Sequence, residues 1–373
     1  MLTKKKNGEY NLESRAEQSR AEQSRAEQSR AEQSRAEQSR AIDVVKFLMA
    51  ICVVAIHTKP MIGVLGWKKE LYDTIVALAV PFFFISTGYL VFGSLIVPYG
   101  CIFNQNKLKR QVHKFLRTYL LWSFIYFPLA IYGFVVVEKC GVVKALILYT
   151  RNILFQGQNY FSYPLWYLLA TLYTSVVFYF IVRKGFRDKD VFLAIIVSFI
   201  ATKGTNFLIE NQDSLQGTLK IVAFLLQKTI ADGRVFSGIY AVLIGALIRK
   251  YKEKIDLIGK QYLILSFLVL FTADVFFDNT FLRVAVCVSF FCCIQGLKFK
   301  FVKSECGLYL RRLSAVLFYT HMIFFFIFGM LVGKEPAYGL TGFIVSLVAA
   351  IVFGMFVSGE KKINNSIIRL LFG

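Results

Sequence analysis

From residue 41 onward the chain is a succession of apolar runs, and this repeated run length constrains the fold more than any other feature. Ten runs are long enough to cross, or nearly cross, a hydrocarbon core. They lie at 41–58, 74–96, 116–137, 163–182, 190–209, 234–249, 261–277, 281–297, 313–332 and 340–358. Lipid offers no hydrogen bonds, so a spanning segment must satisfy its own backbone, and runs of this kind are helices. The expected fold is all-α: a polytopic membrane bundle of about ten transmembrane helices. The stretch IVAFLLQKTIA at 221–231 is apolar but short, which predicts a re-entrant or interfacial segment. A composition that is 56% hydrophobic, with 38 Phe, excludes an ordinary soluble domain.

Charge sets the expected orientation. The formal net charge is +21. In a soluble protein that would point to nucleic acid. Here the basic residues sit between the apolar runs, so no nucleic-acid partner is expected and anionic headgroups account for them. Lys107 to Arg117, Arg183 to Asp190, Arg249 to Lys254 and Lys298 to Arg312 are rich in Lys and Arg, as is the tail with Lys361, Lys362 and Arg369. The intervening segments 59–73, 138–162 and 210–233 are poorer. This asymmetry predicts both termini in the cytoplasm of a multi-pass protein of the cell (inner) membrane. No cleavable signal precedes the first run, which is expected to act as its own targeting signal.

Three regions are therefore expected: a polar cytoplasmic arm at 1–40, a membrane domain at 41–358 and a basic cytoplasmic tail at 359–373. The arm repeats RAEQS five times from Arg15 to Ser39. A five-residue period keeps no single helical face, so the arm is expected to be solvated and its length to vary without changing any chemistry. The seven Cys show no metal-ligand spacing, so neither a metal site nor a disulfide framework is expected.

Chemistry concentrates in four stretches. The first run, DVVKFLMAICVVAIHT (43–58), carries Lys46 and, eleven residues on, His57. On a helix they lie within ~20° of one face and about 16 Å apart. Charged and titratable groups in lipid usually face a protein interior or a wet cavity. Alternatively, Lys46 snorkels to headgroups and His57 caps the helix. VPFFFISTGYL (80–90) contains Pro81, which can kink a membrane helix, and Gly88, which allows close helix approach. In KLKRQVHKFLRTYLLW (107–122), Arg110, Lys114 and Arg117 share a face. They form either a headgroup-binding cluster or a phosphate cradle. Finally, RRLSAVLFYTHMIFF (311–325) places His321 in the middle of a run. The third histidine, His113, lies in the basic segment and is expected to be exposed. Walker, GxSxG and HExxH motifs are absent.

Together these pieces resemble the acyltransferase 3 family of membrane O-acyltransferases. The family's mark is Arg or Lys, ten residues, then His in the first span, here Lys46 through His57, with Asp43 three residues ahead of the cation. Pro81, Phe83, Phe84, Thr87, Gly88, Tyr89 and Leu90 follow its second-span pattern, with Thr87 in place of the usual Ser. Lys114 to Tyr119 resembles its basic pair before an aromatic. Pro164-Leu-Trp166-Tyr167-Leu is similar to its "H-L-W-F-L" element with Pro for His, and Leu313 to His321 resembles a late pattern ending in His. The resemblance covers about 41–358. Lys46 stands where Arg is commoner and lacks bidentate phosphate binding.

The resemblance implies an enzyme that takes an acyl group, expected to be acetyl, from acyl-CoA inside and places it on a hydroxyl of an envelope polysaccharide or glycolipid precursor outside. The partners implied are acetyl-CoA or another acyl-CoA as co-substrate, a carbohydrate or glycolipid acceptor and the lipid bilayer, with no tightly bound cofactor. Lys46, Arg110, Lys114 and Arg117 would hold the phosphates of the nucleotide end. His57 would act as general base, directly or through an acyl-enzyme, with His321 assisting or packing. Two other classes fit the same sequence: a transporter or flippase using the cavity without acyl transfer, and a membrane scaffold using the RAEQS arm.

Overall fold

The computed structural model describes residues 40–230, 234–277, 279–295, 297, 304–333, 337–359 and 371–372. The RAEQS arm and most of the 359–373 tail lie outside the described residues. Among the described residues the chain is helical, without strands. The first helix, α1, spans Arg40–Thr58. It is followed by α2 (Trp67–Ala77), α3 (Ala79–Phe92), α4 (Ile102–Tyr132), α5 (Val142–Arg151), α6 (Trp166–Arg183) and α7 (Asp188–Glu210). Then come α8 (Gly217–Thr229), α9 (Arg234–Lys250), the short α10 (Lys252–Asp256), α11 (Lys260–Phe277), α12 (Thr280–Gln295), α13 (Ser304–Val332) and α14 (Leu340–Gly359).

Each of the ten apolar runs falls on a helix. Among the described residues, eight helical segments are long and apolar enough to cross a membrane, or nine if one bent pair counts as a span. The run at 234–249 is α9, which pairs with α8 across a 67° bend, so the apolar stretch is helical as far as Thr229 but does not continue as a straight span; Ala231 lies outside the described residues. The run at 281–297 forms α12, an apolar helix of 16 residues.

Two boundaries differ from expectation. The basic stretch 107–117 is not a loop but the first half of α4, which continues through a π-helical turn at Gly133–Val137. Lys, Arg, Gln and Leu are good helix formers, and no Gly or Pro interrupts them. The second run, read as 74–96, begins earlier, at Trp67, and breaks at Leu78. Pro81 explains the break: it has no N–H to give the carbonyl four residues back, so the ladder fails one turn ahead of it.

Glycines set the tightest helix contact. A Cβ on Gly88 of α3 would lie 1.9 Å from the Val242 carbonyl oxygen of α9, and one on Gly245 would lie 2.0 Å from the Ile85 carbonyl oxygen. The two backbones therefore touch in both directions, as small residues permit in membranes. Large apolar side chains instead cover the bundle's outside: Phe192, Leu193, Ile196 and Ile200 on α7, and Ile344, Val348, Val352 and Phe356 on α14, are exposed. Such a belt suits lipid and not water.

Gly88→Ala and Gly245→Ala are each expected to destabilise the bundle by about 2 kcal/mol or more, because a backbone carbonyl cannot rotate away from the new methyl. Gly204→Ala, on α7 with no atom within 4 Å of the new Cβ, is the neutral comparison. Thermal unfolding in detergent measures all three.

Candidate active site

Three helices, α1, α4 and α13, form the frame of the site. At one end the Arg311 guanidinium of α13 grips the Asp43 carboxylate of α1 with two bonds, Nε to Oδ1 at 3.1 Å and Nη2 to Oδ2 at 2.8 Å. A turn further on, the Ser314 hydroxyl donates to the Lys46 carbonyl at 3.2 Å. Further still, the rings of His57 and His321 stack at 5.5 Å between centroids. Helix α4 keeps the same register: the Tyr126 hydroxyl donates to the Tyr319 carbonyl at 2.7 Å, and Tyr132 packs edge-on against Phe326 at 5.6 Å.

The ion-pair end gathers cations. Asp43 is buried and paired, while the Arg311 side chain is half-exposed. Arg311 acts electrostatically on Lys46 on one side and on Lys114 on the other, and Arg117 also acts on Lys114. Lys114, Arg117 and Arg110 line one groove of about 980 Å³, whose described walls are all from α4. His113 lines the same groove, is exposed as expected, and places its Nδ1 2.8 Å from the Lys109 carbonyl. Among the predicted cations, Lys46 and Lys114 are thus linked through Arg311, and Arg117 through Lys114, while Arg110 lies a turn earlier on α4. Four cations converging with one carboxylate suit a polyanion such as a phosphate group.

The other end is built mainly of aromatic rings. His57 lies between two rings: His321 on one side and Tyr163 on the other, the latter at 6.1 Å and 17° between planes. His321 is fully buried. Its Nδ1 is 2.8 Å from the Leu317 carbonyl. A carbonyl only accepts, so Nδ1 carries the hydrogen and Nε2 of the neutral ring holds a lone pair. That Nε2 has no hydrogen-bond partner among the described residues. A buried, unpartnered imidazole nitrogen beside a second imidazole is a suitable acceptor for a substrate O–H. Arg234 is the nearby cation acting on His57; its guanidinium lies over the Trp166 ring at 5.2 Å and bonds Gln158 at 2.8 Å. A cavity of about 100 Å³ lies beside Tyr163, with Tyr132, Tyr160, Phe325 and Tyr338 also in its wall; neither histidine is among its lining residues.

The polar residues of segment 138–162 are engaged by the protein itself. Gln156 bonds the Lys228 carbonyl at 2.9 Å, Gln158 bonds Arg234, and Asn159 accepts from Asn152 at 3.1 Å. The Tyr160 hydroxyl donates to Glu138 at 2.6 Å; burial and that carboxylate push its phenol above the ordinary range, so it stays neutral. In the second-span motif, Gly88 serves helix contact, and Thr87 meets the Tyr167 hydroxyl at 3.1 Å. Sequence reasoning missed Arg311, Tyr163 and Arg234 as site residues. One signal was present: Arg311 precedes His321 by ten residues, nearly repeating the Lys46–His57 spacing on a second helix.

The family model described as acyltransferase domain matches residues 39–358. Curated relatives include two amino-acid racemases of Enterococcus faecalis. One is 28% identical over 57% of this chain and 29% of its own length, the other 27% identical over 65% and 33%. A serine/alanine racemase of Enterococcus gallinarum is 29% identical over 57% of this chain and 29% of its own length. The chain thus matches about a third of the length of these relatives. No solved structure matches it.

Because Asp43 is buried against Arg311, removing either partner alone leaves a charge without its counter-ion. Arg311→Ala and Asp43→Ala are each expected to lower stability by about 1–3 kcal/mol, and the double variant by less than their sum. A double-mutant cycle on thermal unfolding reads the coupling directly, and additivity would remove the pair from the frame of the site.

Proposed function

The chain belongs to the acyltransferase-domain family, and from that premise we propose that it moves an acyl group, acetyl in the first instance, from acyl-CoA to an acceptor hydroxyl at the histidine pair. The acceptor is a hydroxyl of an envelope polysaccharide or glycolipid precursor, and the membrane is the cell membrane with the cation end toward the cytoplasm. One observation carries the reading: two imidazoles stack toward one end of α1 and α13, and the cations Lys46, Lys114, Arg117 and Arg311 gather toward the other.

The division of labour follows from the chemistry of the two ends. The phosphates of the donor nucleotide bind at the cations, with Arg110 extending the groove outward. The thioester reaches the histidines about 16 Å away along α1. His57 takes the proton of the acceptor hydroxyl as its oxygen attacks the thioester carbonyl. A C–O bond forms, the C–S bond breaks, and the proton on His57 passes to the departing thiolate, giving an ester and free CoA. His321 Nε2, an acceptor without a protein partner, orients the hydroxyl or the His57 ring. The aromatic walls exclude water and so protect the thioester from hydrolysis.

Membership of an acyltransferase family favours this reading over transport without acyl transfer. The racemase names belong to the relatives, of which this chain matches only about a third.

The reading is tested with purified protein in lipid, acetyl-CoA, and glycans from the same envelope, with CoA release and acyl mass shift as readouts. His57→Ala is expected to lower turnover by about 100-fold or more, the range typical of losing a general base. A folded His57→Ala variant with undiminished acyl transfer sinks the role of His57, and wild-type protein that never consumes acyl-CoA sinks the function.

A further inference from the structure

A second aromatic pair lies between the cations and the histidines. The rings of Trp122 on α4 and Tyr319 on α13 stack at 4.7 Å with 5° between their planes, and both residues are buried. Trp122 is five residues beyond Arg117, about 7.5 Å further along the helix, and Tyr319 is two residues short of His321. Along the helix axes the pair therefore lies at a level between the two ends of the site.

This layer is occupied by the chain itself. The indole Nε1–H of Trp122 donates to the Leu371 carbonyl at 2.6 Å. The Phe372 ring lies 5.6 Å from the Trp122 ring and 6.1 Å from Tyr319. An indole N–H is a donor only, and the Leu371 carbonyl is its one partner among the described residues. Residues 371 and 372 are 249 positions from Trp122 in sequence, so the contact is tertiary and not part of a local turn.

The arm of coenzyme A, between diphosphate and sulfur, carries two secondary amides. To bring its thioester from the cations to the histidines, the arm must pass the Trp122–Tyr319 layer. A peptide carbonyl and an arm amide carbonyl are the same chemical group and present the same acceptor to an indole N–H. We propose that Trp122 Nε1–H binds an amide carbonyl of the donor's arm beside the Tyr319 ring, and that Leu371–Phe372 is a built-in competitor for that position. This rests on the acyl-CoA reading above. The arrangement makes donor binding depend on withdrawal of Leu371–Phe372, so the protein restrains its own thioester uptake.

The test uses the full chain in detergent and two probes: coenzyme A, and adenosine 3′,5′-bisphosphate, which has phosphates but no arm. Phe372→Ala is expected to tighten CoA binding about fivefold, the scale of one net hydrogen bond, and to leave the bisphosphate unchanged. Adding Trp122→Phe in that background keeps a ring but removes the N–H, and is expected to reverse the gain for CoA alone. Melting curves confirm that each variant is folded. CoA affinity that is equal in wild type and Phe372→Ala overturns the inference and leaves the acyl-CoA reading standing, as does a parallel shift of both probes. Failure of wild type and variants alike to bind CoA overturns both.

Discussion

The Asp43–Arg311 pair is the contact on which the site depends. A carboxylate buried in a lipid-embedded bundle is tolerable only with a counter-ion at hydrogen-bond distance. The two-bond geometry fixes not just which helices touch but how far one slides past the other. Once Arg311 is opposite Asp43, Ser314 falls opposite Lys46 at the same offset of 268 residues. His57 and His321 meet at an offset of 264 residues (from 57 to 321), about one helical turn out of that register, so the packing at their own end, and not the ion pair alone, brings the two rings together.

The two ends are kept chemically different by what surrounds them. Exposed cations at the mouth of a groove remain hydrated and ready to exchange water for phosphate. The histidine end is walled by Tyr and Phe rings, and the polar groups nearby are already bonded within the protein. Few unsatisfied acceptors remain there, which leaves the His321 Nε2 conspicuous. Tight backbone contact between α3 and α9, through Gly88 and Gly245, packs the neighbouring wall closely.

Much of the helical layout was legible in the sequence, because each run had to satisfy its own backbone in lipid. All ten runs fall on helices, and the short 221–231 stretch is bent away from its neighbour. Boundaries were less legible where charge and helix propensity disagree. The 107–117 segment looked like a loop by its charge, yet its residues are helix formers and extend α4 instead. The partners of the polar residues of 138–162 were not legible either, since composition does not reveal which hydrogen bonds the protein makes within itself.

The spacing of Lys46 and His57 alone placed a cation and an imidazole on one face of one helix, since helical geometry converts eleven residues into an aligned pair. Tertiary structure alone decided what they face. Arg311 reaches Asp43 across 268 residues, and Leu371 reaches Trp122 across 249. No periodicity encodes such partners. Local hydrogen bonding decides that a segment in lipid is a helix, whereas the choice of neighbour and register comes from side-chain packing and from the need to pair buried charge.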